Sequence, residues 1–140
     1  MLDVNVLIAR IDPRHEHHAR VLRWERDRPG ELIVTCPLTE NGFLRIYGHP
    51  KYPGGPGSPA EAMVELRHLR SLGTHRFIPD SISLDGTSLL RTLEGITPRR
   101  LTDVYLLALA VRHGLDFVTF DVGIAADCVA GGAEALHLVG

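Results

Sequence analysis

The sequence predicts an α/β protein with a mostly parallel central sheet, and three observations carry that expectation. Short apolar runs of strand length alternate with longer amphipathic stretches. Glycines stand where such stretches end, and one run of prolines and glycines interrupts the pattern. Alternation of this kind is the mark of strand–helix–strand units, in which a helix carries the chain back across a parallel sheet. The chain has 140 residues, 44% of them apolar and 23% charged, enough to bury a core as one domain spanning 1–140.

The strands are expected at 32–35, 76–78, 117–120 and 136–139, each built from residues such as Leu32-Ile33-Val34-Thr35 and Phe117-Val118-Thr119-Phe120. Amphipathic helices are expected at about 15–28, 37–48, 59–72, 84–93 and 102–113. Gly73 and Gly114 mark helix ends, where a left-handed residue relieves the last turn. The segment from Pro50 to Pro59 holds four prolines and three glycines and must be a surface loop. Only Met1-Leu2 precede Asp3, so a first strand is either very short or begins upstream of this sequence.

Bulk chemistry excludes several classes. No apolar run approaches the roughly 18 residues that suggest a membrane span. Asp3, Asn5 and Arg10 break up the N-terminal segment, which does not read as a signal peptide, and a cytoplasmic location is expected. Cys36 and Cys128 lie far apart without metal-binding spacing and read as small apolar residues of a reducing compartment. The net charge of −2 neither favours nor excludes nucleic acid. Eleven of the fifteen basic residues precede residue 80, which allows a local basic face.

Four carboxylates occupy positions that a purely structural reading does not favour. Asp3 follows the stub of the first strand, and Asp121 directly follows the strand ending at Phe120. Both stand at strand carboxyl ends, where open α/β sheets bind ligands. Glu40 has Phe43, Leu44 and Tyr47 at helical offsets, and Asp103 has Leu106, Leu107 and Ala110. An unpaired buried carboxylate costs several kcal/mol or is neutralised. Mg²⁺ or Mn²⁺ would explain the set, because both take hard oxygen ligands and can promote attack on a phosphodiester. Each acid also has a local reading: Asp103 in a first helical turn after Thr102, Asp121 in a turn before Gly123, and Asp3 as the cap of a helix from Val4. Glu40 has no such capping role.

These segments resemble the PIN-domain family, and within it the VapC-type toxins. Leu2-Asp3-Val4-Asn5-Val6-Leu7-Ile8 resembles the opening acidic motif, and Thr39-Glu40-Asn41-Gly42-Phe43-Leu44-Arg45-Ile46 the glutamate helix. Thr102-Asp103-Val104-Tyr105-Leu106-Leu107-Ala108-Leu109-Ala110 resembles the third motif, and His113 to Asp121 the strand leading to the fourth acid. All occur in the family's order. The resemblance implies a three-layer α/β/α sandwich and a metal-dependent endoribonuclease, with Mg²⁺ or Mn²⁺ on Asp3, Asp103 and Asp121. It implies Glu40 as a supporting ligand or as the base that orients water. It further implies RNA as substrate (tRNA, rRNA or mRNA), a VapB-type antitoxin that blocks the site, and a homodimer. Asn5 and Thr119 are expected to hydrogen-bond the carboxylates. Gly123-Ile124 departs from the bulkier aromatic that many relatives carry there.

Arg45, roughly 140° around the helix from Glu40 at about 100° per residue, is a candidate for RNA or antitoxin contact. Arg99 and Arg100, just before the Asp103 helix, are candidates for phosphate contact. His15, His17 and His18 lack the further ligand a zinc site requires and read as a solvated helix start. Trp24 and Leu22 are candidates for a protein contact or for the core. Two other functions compete. An aspartyl-phosphate enzyme needs a second Asp at position 5 and a partnering lysine, but Asn5 stands there and Lys51 is the sole lysine. A silent PIN-like module that binds RNA or protein without cutting predicts lost acids, and all four are present.

Overall fold

Each strand is only three residues long, and the sheet is completed by the chain's first three residues. The computed structural model describes residues 1–140. In chain order it comprises α1 (Val4–Ile11), α2 (His18–Arg26), β1 (Ile33–Thr35), α3 (Pro37–Tyr47), α4 (Pro59–Arg70), β2 (His75–Phe77), α5 (Leu101–Arg112), β3 (Phe117–Thr119), α6 (Gly132–Ala135) and β4 (Leu136–Leu138). Strands β1 and β2 pair in parallel, with Val34 opposite Arg76, and so do β3 and β4, with Val118 opposite His137. The residues before α1 join the two pairs. Leu2 N donates to Val34 O at 3.1 Å, Asp3 N to Val118 O at 2.9 Å, and Val118 N to Met1 O at 2.9 Å. Met1, Leu2 and Asp3 thus form a central rung of the sheet.

Strand alternation sends successive side chains to opposite faces. Leu2, Ile33 and Val118 enter a cluster with Leu7, Phe43 and Leu66 from α1, α3 and α4. Met1, Val34 and Phe117 enter a second cluster with Leu106, Leu107 and Leu109 from α5. Helices therefore cover both faces, giving the expected α/β/α layers. No helix is long and apolar enough to cross a membrane. Both cysteines are buried and unpaired.

Most expected elements appear, each trimmed by one to three residues at an end. The helix expected at 84–93 does not form. Asp85-Gly86-Thr87-Ser88 turns there instead, with Gly86 at φ 92° and the Thr87 hydroxyl accepting from Leu89 N. Short polar side chains that bond the neighbouring backbone favour turns over helix. The segment then lies along 128–130, through Arg91 N to Cys128 O and Ala130 N to Leu89 O, each 2.8 Å. Gly114 ends α5 in the left-handed region as expected, at φ 64°, whereas α4 already stops at Ser71, before Gly73.

Asp12, unremarked in the sequence, is 1% exposed at the end of α1. Its carboxylate accepts from Arg14 N at 3.0 Å and from the Tyr52 hydroxyl at 3.1 Å, fastening the proline-glycine loop to the body. Trp24 is buried and Leu22 is exposed. Leu7 is fully enclosed, so Leu7→Ala is expected to cost about 2–5 kcal/mol in urea unfolding. Leu22→Ala, at a 44% exposed position, should change stability by no more than about 0.5 kcal/mol.

Candidate active site

The carboxyl end of the central rung opens into a cleft of about 390 Å³ lined by Asp3, Asn5, Arg99, Arg100, Asp103 and Asp121. No apolar residue lines it. Three elements deliver the acids. Asp3 sits where the rung becomes α1, and Asp103 lies in the first turn of α5. Asp121 follows β3.

Asp3 is 8% exposed, and both its oxygens are engaged. One accepts from Val4 N at 2.6 Å, capping α1, and the other accepts from the Thr119 hydroxyl at 2.8 Å. Capping and cleft lining are therefore two uses of one side chain. Thr119, wholly buried, also accepts from Asp121 N at 3.1 Å, so one hydroxyl ties two acid positions together. The Asp121 carboxylate closes a turn by accepting from Gly123 N at 2.7 Å. Arg100 donates to Gly123 O on the same turn.

The acids are pushed toward their neutral forms, first by burial and then by one another. The Asp103 carboxyl is raised to about 6, first by burial and then by Asp3 and Asp121, with Arg100 opposing them. Asp3 is also raised, first by burial, against the pull of Thr119 and Val4 and with a push from Asp121. A divalent cation relieves this kind of strain, and the donors are all hard oxygens. No three carboxylates are gathered closely enough to make a ready cage.

Two expected residues stand elsewhere. Glu40 is absent from the cleft lining. Its carboxylate accepts from the buried Thr35 hydroxyl at 2.7 Å and from Arg70 at 3.0 Å. The apparent orphan on an apolar stripe has a partner thirty residues away, supplied by α4. Arg45 faces a separate opening with His49, Lys51 and Tyr52. Arg99 and Arg100 do line the cleft, as does Asn5, although Asn5 bonds neither neighbouring acid.

Thr35 and Arg70 were not singled out in the sequence, yet a signal for Thr35 exists. Ile33-Val34-Thr35 and Phe117-Val118-Thr119 both end in a buried threonine that donates to an acid. The histidines at the start of α2 are also unlike a solvated start. His18 Nδ1 lies 2.7 Å from Ala9 O, and the His15 and His17 rings gather on Phe120.

Residues 1–126 match the PIN domain model. The chain belongs to the PIN-domain family. It is 40% identical over 126 residues, 89% of this chain and 86% of the relative, to ribonuclease VapC38 of Mycobacterium tuberculosis strain ATCC 25618 / H37Rv. It is 38% identical to ribonuclease VapC44 of strain CDC 1551 / Oshkosh, covering 99% of this chain and 96% of the relative. Ribonuclease VapC39 of that strain is 39% identical, with 97% and 98% covered. The four acidic motifs of this PIN chain all fall inside the matched span.

Asp103 also gives a test of the charge balance. Its folded value of about 6 lies above the ordinary carboxyl value of 3.8, so between them the folded chain holds a proton that the unfolded chain has released. Stability of the metal-free protein should therefore fall as pH rises through this window. Asp103→Asn is expected to raise the melting temperature of chelator-treated protein at pH 7 and to flatten its dependence between about pH 4 and 6. A melting temperature that drops in the variant would show the carboxylate to be stabilising.

Proposed function

We propose that this PIN domain is a metal-dependent endoribonuclease of the VapC toxin type, acting as one unit over residues 1–140. The observation that carries the reading is the polar cleft lined by Asp3, Asp103 and Asp121 and flanked by Arg99 and Arg100. Its relatives' names as ribonucleases point the same way.

In this proposal Asp3, Asp103 and Asp121 hold Mg²⁺ or Mn²⁺ directly or through water. When bound, the ion supplies the positive charge that polarises a phosphodiester and makes water a better nucleophile. Thr119 fixes the rotamer of Asp3 by its hydrogen bond, and the same hydroxyl steadies the backbone at Asp121. Arg99 and Arg100 hold phosphates of the RNA backbone on the cleft rim. Asn5 is exposed on the lining and is available to the substrate rather than to the acids. Glu40 acts as the base that orients water only when freed from Arg70. Arg45 belongs to a second contact surface. A VapB-type antitoxin would cover the cleft, the protein would act as a homodimer in the cytoplasm, and the substrate would be tRNA, rRNA or mRNA.

The test is cleavage of structured RNA with Mg²⁺ or Mn²⁺. Asp3→Ala and Asp103→Ala are each expected to lower kcat/KM by at least about a hundredfold, the size of losing a main electrostatic element of an active site. Equal cleavage by the variants would remove the site assignment. A wild-type protein that binds Mn²⁺ calorimetrically but does not cut would be a binding module. Glu40→Gln is expected to lower kcat with little change in KM, and an unchanged kcat would leave the Arg70 pair as a purely structural contact.

A further inference from the structure

Phe120 lies between Thr119, which holds Asp3, and Asp121, which lines the cleft, and strand alternation sends its side chain away from Thr119, onto the α1–α4 cluster. Three side chains from the segment between α1 and α2 and from α2 itself gather on its ring. The His15 ring lies nearly parallel to it, at 14° with centroids 6.4 Å apart. The His17 centroid is 4.6 Å away, and the Arg20 guanidinium sits 5.5 Å from the ring centre. Arg20 is fixed from behind by donating to Val139 O at 2.6 Å. The turn is fixed too, because His15 Nδ1 accepts from His17 N at 3.1 Å.

These residues also serve the local structure, through the His15–His17 turn and the Arg20–Val139 bond. Phe120 is half-buried against the α1–α4 core and could be covered by aliphatic side chains. Instead two half-exposed imidazoles and a guanidinium, all planar groups, gather beside the carboxyl end of β3, with His15 stacked on Phe120 and His17 tilted by 49°. Single-stranded RNA is recognised by this set of groups, because unpaired bases stack on aromatic, histidine and arginine planes. The platform starts one residue from Asp121, whose Cα is about 3.8 Å from that of Phe120.

We propose that His15, His17 and Phe120, backed by Arg20, form a stacking platform for an unpaired RNA base adjoining the scissile phosphate. The inference rests on the nuclease reading of the neighbouring cleft. It makes His15 and His17 positioning residues for that unpaired base.

The experiment uses the full chain carrying Asp103→Asn to prevent cutting, with Mg²⁺ present. The probes are single-stranded RNA oligonucleotides bearing 2-aminopurine at each position in turn, whose fluorescence is quenched on stacking. Quenching is expected at one position. Adding His15→Ala should weaken binding about tenfold, whereas His15→Phe, which keeps a planar ring but loses the Nδ1 acceptor, should stay within about threefold of the parent. Thermal melts of each variant check folding.

No quenching at any position, or equal binding by His15→Ala, overturns the platform. His15→Phe binding as weakly as His15→Ala shows that the histidine serves only the turn, which also overturns it. Failure of the nuclease reading looks different: wild-type protein that does not cut while quenching persists and depends on His15 retains the platform and loses the cleavage.

Discussion

The hydrogen bond from Thr119 to Asp3 joins what the rest of the molecule depends on. It spans 116 positions of sequence and connects the end of β3 to the rung formed by Met1, Leu2 and Asp3. That rung links the two strand pairs, so the same few residues complete the sheet and bring the acids together. Asp3 is buried because a central rung has helices on both faces, and its burial raises the cost of its charge. The fold thus creates the unfavourable charge and, in the same place, a cleft lined only by polar residues.

Much of the architecture was legible because it is local. Buried strands of three residues with a β-branched centre, and helices with apolar stripes, declare themselves in any short window. The false helix at 84–93 shows where that logic stops. Its apolar spacing was adequate, but Asp85, Thr87 and Thr92 offered the backbone competing hydrogen bonds, two of which Thr87 and Thr92 make.

The site was legible in part for the same reason. Asp3, Asp103 and Asp121 could be read from strand ends and helix starts, which are local features. Glu40 could not be read to completion, because the partner that settles its charge, Arg70, comes from another helix. Asp12 was missed altogether. Its burial results from Tyr52 and Arg14 closing over it, and nothing near position 12 in sequence announces that. Pairings between distant side chains are the part of a fold that periodicity does not encode.

That buried carboxylate has an effect on the proline-glycine segment. A free connection of this composition would sample many end-to-end arrangements, and closing it would cost entropy that grows with its length. The Tyr52 hydroxyl on Asp12 pins the segment near its start, and the Arg14 guanidinium lies where any side chain at Gly54 would have to go. The long excursion is divided into shorter closures. Lys51, the lone lysine, is thereby presented beside Arg45 and His49 at a fixed place, a positive corner set by a carboxylate hidden beneath it.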